Sequence, residues 1–143
     1  EVSMTDILLT AEATNFRATV PFKVDVYMDK MGVITIGEGY KITNQCPLGQ
    51  IVIVDFEITT VGGWTLVDIS ENFKAKKINT KEFGLSVNGA TALNGSVPLN
   101  TSLAEPIRNR ESKDLVFDVK IPGQTTEVNQ VISSLSIVLD FWK

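Results

Sequence analysis

The most constraining feature of this chain is the alternation across residues 51–60, IVIVDFEITT. Val52, Val54, Phe56 and Ile58 share one parity, while Asp55, Glu57 and Thr59 fall mostly on the other. A period of two sustained over that length matches the pleat of a β-strand with one buried face, not the 3.6-residue stripe of a helix. Gly62-Gly63 then offers the positive φ that a tight reversal needs, and Trp64, Thr65, Leu66 and Val67 resume an apolar run. The expectation is a central β-hairpin over residues 51–67, with Trp64 as its largest core side chain.

The same period recurs along the chain. Residues 4–14 alternate through Ile7, Leu9 and Ala11 and read as a first strand, continued over 16–20 after Asn15. Pro21 cannot donate to a sheet ladder and marks a break or an edge. Over residues 22–28, Phe22, Val24, Val26 and Met28 point inward and Lys23, Asp25 and Tyr27 outward. Asp29-Lys30-Met31-Gly32 has the chemistry of a hairpin turn, returning as a strand over 33–36. Residues 40–44, 83–87, 115–121 and 131–142 supply further strands. The last two carry inward faces of Leu115, Phe117, Val119 and Ile121, and of Leu135, Ile137, Leu139 and Phe141.

Residues 70–81 lack the period and fit a helical turn near 72–77, residues 90–113 read as a long surface loop, and 124–129 as a polar connector. Neither a heptad nor an internal repeat is present. About eight to ten strands joined by turn residues indicate an all-β, antiparallel β-sandwich of Ig-like or jelly-roll-like type, a single domain over residues 1–143.

Function is bounded mainly by what the residues exclude. The chain holds no histidine, which removes Ser-His-Asp and Cys-His catalysis, histidine metal sites and imidazole acid–base chemistry. The formal charge of −4 argues against a nucleic-acid partner, which rewards clustered Lys and Arg. No apolar run approaches the roughly 20 residues of a membrane-spanning helix. Cys46 is the single cysteine, so no intrachain disulfide forms, and a buried, inert thiol is expected. A start at Glu1 fits a chain whose signal peptide has been removed, and equally a trimmed one.

The remaining candidates each have a plainer reading. Asp55 and Glu57 share a strand face about 7 Å apart, as a glycosidase pair would, yet acidic alternation is also what a solvated strand face carries. Asp25, Asp29 and Glu38 lack the spacing and helices of an EF-hand calcium loop. Lys74, Lys76, Lys77 and Lys81 form either an anion patch or a solvated loop. Tyr27, Tyr40 and Trp142, read as outward-facing, are candidates for a sugar-stacking platform. Asn94-Gly95-Ser96 and Asn100-Thr101-Ser102 match glycosylation sequons, as a chain rich in asparagine does by chance. Catalytic, cofactor and metal sites are not expected.

Three blocks carry a resemblance. Thr19-Val20-Pro21 leads to Val24-Asp25-Val26 and the turn at 29–32. Lys41-Ile42-Thr43-Asn44 is followed by residues 49–54 and by Gly63-Trp64-Thr65-Leu66-Val67-Asp68. The chain closes on Ile137-Val138-Leu139-Asp140-Phe141-Trp142. In that order they resemble a loosely defined group of small secreted or surface-displayed β-sandwich proteins of Gram-positive anaerobes (Firmicutes), a group in which phage-encoded relatives are also considered. The architecture is similar to that of camelysin-like biofilm-fibre subunits, in which a sandwich accepts a strand from its neighbour.

The resemblance implies a non-enzymatic extracellular or cell-surface protein that assembles with copies of itself. A phage virion protein (capsid decoration or tail-associated) and a carbohydrate-binding or adhesive module are the alternatives, with virion proteins or glycans as partners. Residues 1–9 are moderately apolar and are candidates for a strand donated to a neighbour's open sheet edge. Ile7, Leu9, Tyr40 and Trp142 are the expected interaction residues.

Overall fold

A computed structural model describes residues 2–13, 18–19, 23–29, 33–125 and 130–143, with the backbone alone at 2–13, 18–19, 23 and 130. Glu1, Asn15, Phe16, Val20, Pro21, Phe22, the turn residues Lys30, Met31 and Gly32, and residues 126–129 of the polar connector lie outside the described residues. The described strands are β1 (Val2–Ala13), β2 (Ala18–Thr19), β3 (Lys23–Met28), β4 (Ile34–Ile36), β5 (Lys41–Asn44) and β6 (Ile51–Thr60). They continue with β7 (Thr65–Leu66), β8 (Glu82–Val87), β9 (Ala90–Thr91), β10 (Ser112–Asp114), β11 (Phe117–Lys120) and β12 (Gln130–Phe141). The helices among the described residues are a 3₁₀ turn at Phe73–Ala75 and the single turn α1 (Thr101–Ala104). The fold is all-β. The strands outnumber the expected eight to ten because β2, β7 and β9 are only two residues long.

Three sheets share the strands. The largest runs β4-β3-β1-β12-β6, the second β10-β5-β2, and the third β11-β8-β7 with β9 also on β8. Every pairing is antiparallel except β1 with β12 and β7 with β8. The inner faces meet in one cluster: Val24, Val26, Met28, Ile53, Phe56, Ile132, Leu135, Ile137 and Leu139 from the large sheet join Phe83, Leu85, Val87, Phe117 and Val119 from the third. Each such side chain removed from water contributes about 1.5–3 kcal/mol. Parity along β3, β8, β11 and β12 therefore follows the sequence pattern. At Gly84 the third sheet packs so close to the chain after β7 that an added Cβ would lie 2.5 Å from the Ile69 Cα.

β6 departs from its apparent alternation. Ile51 and Ile53 are buried, then Phe56 and Ile58, while Val54 is 48% exposed. The register across the sheet pairs Val138 with Asp55 and Leu139 with Ile53, which leaves Val54 as an extra residue. This β-bulge shifts the parity by one and turns Val52 and Val54 away from the core they were expected to join. Asp55 accepts a hydrogen bond from the next amide, Phe56 N, at 3.0 Å, at the same point.

The expected hairpin over 51–67 is also revised. Gly62 and Gly63 do adopt positive φ, 67° and 80°, and Trp64 N donates to Val61 O. The chain leaving that turn does not return along β6. It passes to the third sheet, where β7 pairs in parallel with β8, Thr65 opposite Glu82 and Leu66 opposite Phe83. Trp64 is buried as expected, at 3% exposure, its indole Nε1 without a hydrogen-bond partner among the described residues.

Residues 90–113, expected as a surface excursion, contribute Ala90, Ala92, Val97, Leu103 and Ile107 to the core. They also lie along the outer edge of β6. Ile51 and Ile107 exchange two main-chain hydrogen bonds, Ile58 N donates to Gly95 O at 2.8 Å, and Val97 N donates to Phe56 O at 2.9 Å. An edge strand exposes a row of unpaired amides and carbonyls, and this segment occupies part of that row.

Candidate functional site

The strand expected to be exchangeable lies in the interior of the large sheet. β1 pairs on one side with β3 over Val2 to Leu8 and on the other with β12 over Thr5 to Ala13. Ile7 is opposite Val24 on β3 and Ser133 on β12, and Leu9 is opposite Leu135. The ladder shifts register once on each side, between Ser3 and Thr5 against β3 and between Asp6 and Ile7 against β12. Two irregularities at separate points give the slot between β3 and β12 a defined register for its strand, because a slip of one residue would put every bulge out of place. β3 and β12 are joined to β1 but not to each other.

Tyr40, expected to face outward, is turned in. It shares parity with Ile42 and Asn44, both fully buried on β5, and its ring meets Phe117 edge-on with centroids 5.8 Å apart. Its hydroxyl accepts the Asp25 amide at 3.1 Å, so the polar end is engaged within the fold. Trp142 is 54% exposed and its amide donates to Gln50 O, which places it beside the loop that carries Leu48. Tyr27 is exposed on β3.

The other candidates resolve into local roles. Asp55 and Glu57 are exposed on β6. Asp29 Oδ1 accepts Val33 N at 2.9 Å across the β3–β4 turn. Cys46 is buried, its amide donating to Asn44 Oδ1. Among the described residues, no group of three His, Cys, Asp or Glu side chains converges as metal ligands.

The lysine cluster is divided. Lys76 donates to Glu71 and Glu82, each at 2.7 Å, and stands 5.4 Å over the Phe73 ring. The two carboxylates hold its ammonium pKa above the usual lysine value. Lys81 reaches back to Gly62 O. Lys74 and Lys76 border a groove of about 790 Å³ beside β11, which Phe73, Val119 and Ile121 also line. Two further shifts are local: hydrogen bonds from the Ser70 amide and hydroxyl lower the Asp68 pKa, and burial lowers that of Lys113 against the opposing pull of Glu105.

The polar residues with the most structural work are asparagines whose partners the local sequence does not reveal. Asn44 is fully buried, with Nδ2 donating to Gly49 O and Ile107 O and Oδ1 accepting from Cys46 N, so one side chain ties two loops together. Asn88 Nδ2 donates to Ser102 Oγ and Asp114 O, and Oδ1 accepts from Val116 N at 2.7 Å. Asn79 joins the chain at Thr125 in the same way. Asn100, half of one sequon, caps α1 through Leu103 N and donates to Asn88 O. Their partners lie up to 63 residues away in sequence, which no local spacing encodes.

Against models of known protein families, characterised proteins and solved structures, the chain finds no match.

Proposed function

We propose that this protein is a non-enzymatic structural subunit, working at the cell surface or outside the cell, that assembles with copies of itself by exchanging β1. One observation carries the reading: the N-terminal strand fills an interior position between β3 and β12, which have no ladder to each other. A second copy's β1 carries the same residues and fits the same register, as in strand addition and domain swapping. Self-pairing and exchange make the same ladder. Their balance is set by the local concentration of the chain's own strand, in the millimolar range for short links, against that of its neighbours.

The use of the polar side chains supports a structural role. The buried or turn asparagines are spent on tying loops, and the carboxylates at Asp29, Asp55 and Asp68 accept local amides. The resemblance to surface-displayed and fibre-forming sandwich proteins is the support for a location outside the cytoplasm.

Deletion of residues 1–9 tests the proposal. The truncated chain should fail to form oligomers or filaments by light scattering and negative-stain microscopy, and a peptide of residues 2–13 added in trans should bind it. A truncated chain that folds and still assembles would overturn strand exchange.

A further inference from the structure

The chain contains two Asn-Gly turns of the same backbone type. Asn88 and Gly89 have φ of 49° and 79°, and Asn94 and Gly95 have 53° and 78°. Both close two-residue reversals, the first between β8 and β9 with Val87 opposite Ala90, the second with Leu93 opposite Ser96. Paired positive φ at both central residues defines the type I′ turn. The two side chains differ. The Asn88 carboxamide is held by three hydrogen bonds to Ser102 Oγ, Asp114 O and Val116 N. The Asn94 side chain is exposed and, among the described residues, makes none.

We infer that Asn94-Gly95 is a site of spontaneous deamidation, placed where its conversion loosens the segment covering the β6 edge. The Gly95 amide nitrogen gives its proton to solvent base and attacks Asn94 Cγ. An N–C bond forms, the Cγ–Nδ2 bond breaks, and ammonia leaves from a five-membered succinimide. Water then opens either ring carbonyl, giving aspartate or isoaspartate. Glycine presents the least hindered amide to this attack, and a carboxamide free to rotate can reach it. At Asn88 the same nucleophile faces an electrophile that must first break its hydrogen bonds, and each one lowers the reactive population several-fold.

The location gives the reaction a consequence. Gly95 O accepts Ile58 N at 2.8 Å and Glu57 bridges to Ser96, so this turn is one of the two places where residues 93–107 hold β6. An isoaspartyl link inserts the residue-94 methylene into the main chain, between its Cα and the carbonyl bonded to Gly95 N, and draws the Gly95 carbonyl out of register. A new carboxylate also appears on the segment that covers the β6 edge.

The test uses the full chain from a bacterial host, incubated in mildly alkaline buffer and followed by peptide mass mapping with an isoaspartate assay. Asn94 should convert at least about tenfold faster than Asn88, whereas chain kept unfolded in denaturant should convert both at similar rates. The converted fraction should show faster hydrogen exchange at the Ile58 amide. Equal rates at the two sites in the folded chain, or an Asn94 that persists while the unfolded control converts, would overturn the assignment. Unchanged exchange at Ile58 in the converted fraction would overturn its link to the β6 edge.

Discussion

β1 and β6 both flank β12, and they are secured in opposite ways. β6 is an edge strand of the large sheet. It holds one ladder, and residues 93–107 of its own chain bind its other side at Ile51, Phe56 and Ile58. It lies mid-chain, between β5 and β7, and cannot leave without disturbing both neighbours. β1 has ladders on both sides, to β3 over Val2 to Leu8 and to β12 over Thr5 to Ala13. Under the proposed exchange the two strands have different fates: β6 is covered by its own chain, whereas the slot that β1 fills would take the same strand from another copy.

The sharpest way to break the comparison is to remove residues 1–9. Loss of most of an interior strand should cost several kcal/mol, enough to unfold a domain of ordinary stability. Thermal unfolding read by circular dichroism would reveal it. Next in size is Asn44→Ala, which removes the hydrogen bonds of a fully buried carboxamide to Gly49 O, Ile107 O and the Cys46 amide. The expected loss is about 2–4 kcal/mol by urea titration, with no effect on whether β1 exchanges. Gly95→Ala forces a side chain into positive φ at the β6 cover and should cost about 1–2 kcal/mol. Hydrogen exchange should then rise at Ile58 and not along β1, separating the two sides of the sheet.

The smallest effect concerns Lys76. Its pKa is raised in the folded state by Glu71 and Glu82, so its stabilising contribution is complete below the ordinary lysine value and disappears as pH climbs through the raised one. The stability gap between wild type and Lys76→Gln should therefore close at strongly alkaline pH.

Much of this fold was legible in the sequence because its signals are local. The extent of β6 and the inward faces of β3, β8, β11 and β12 follow from period two, and the positive φ of Gly62 and Gly63 from residue type. What was not legible depends on partners far away. The bulge at Val54 is invisible in a run that already alternates, because the extra residue is defined only by the opposite strand. The Gly62-Gly63 turn is right in chemistry and wrong in consequence, since the next strand finds its partner in β8 rather than β6. Residues 90–113 bury Val97, Leu103 and Ile107 at spacings that match neither a strand nor a helix. Tyr40 was misoriented although its parity with Ile42 pointed inward. β1 was identified as a strand, but its place between β3 and β12 is a property of the whole topology.

The proposal of strand exchange can be tested in one measurement. Thr10 on β1 and Ser136 on β12 are opposite each other in the parallel ladder. Two single variants, Thr10→Cys and Ser136→Cys, each in a Cys46→Ala background, are unfolded, mixed, refolded together at high concentration and oxidised. Exchange predicts a disulfide-linked species of twice the chain mass containing one copy of each variant. If no mixed species forms under those conditions, while a single chain carrying both cysteines crosslinks internally, β1 stays in its own sheet and the proposed assembly is wrong.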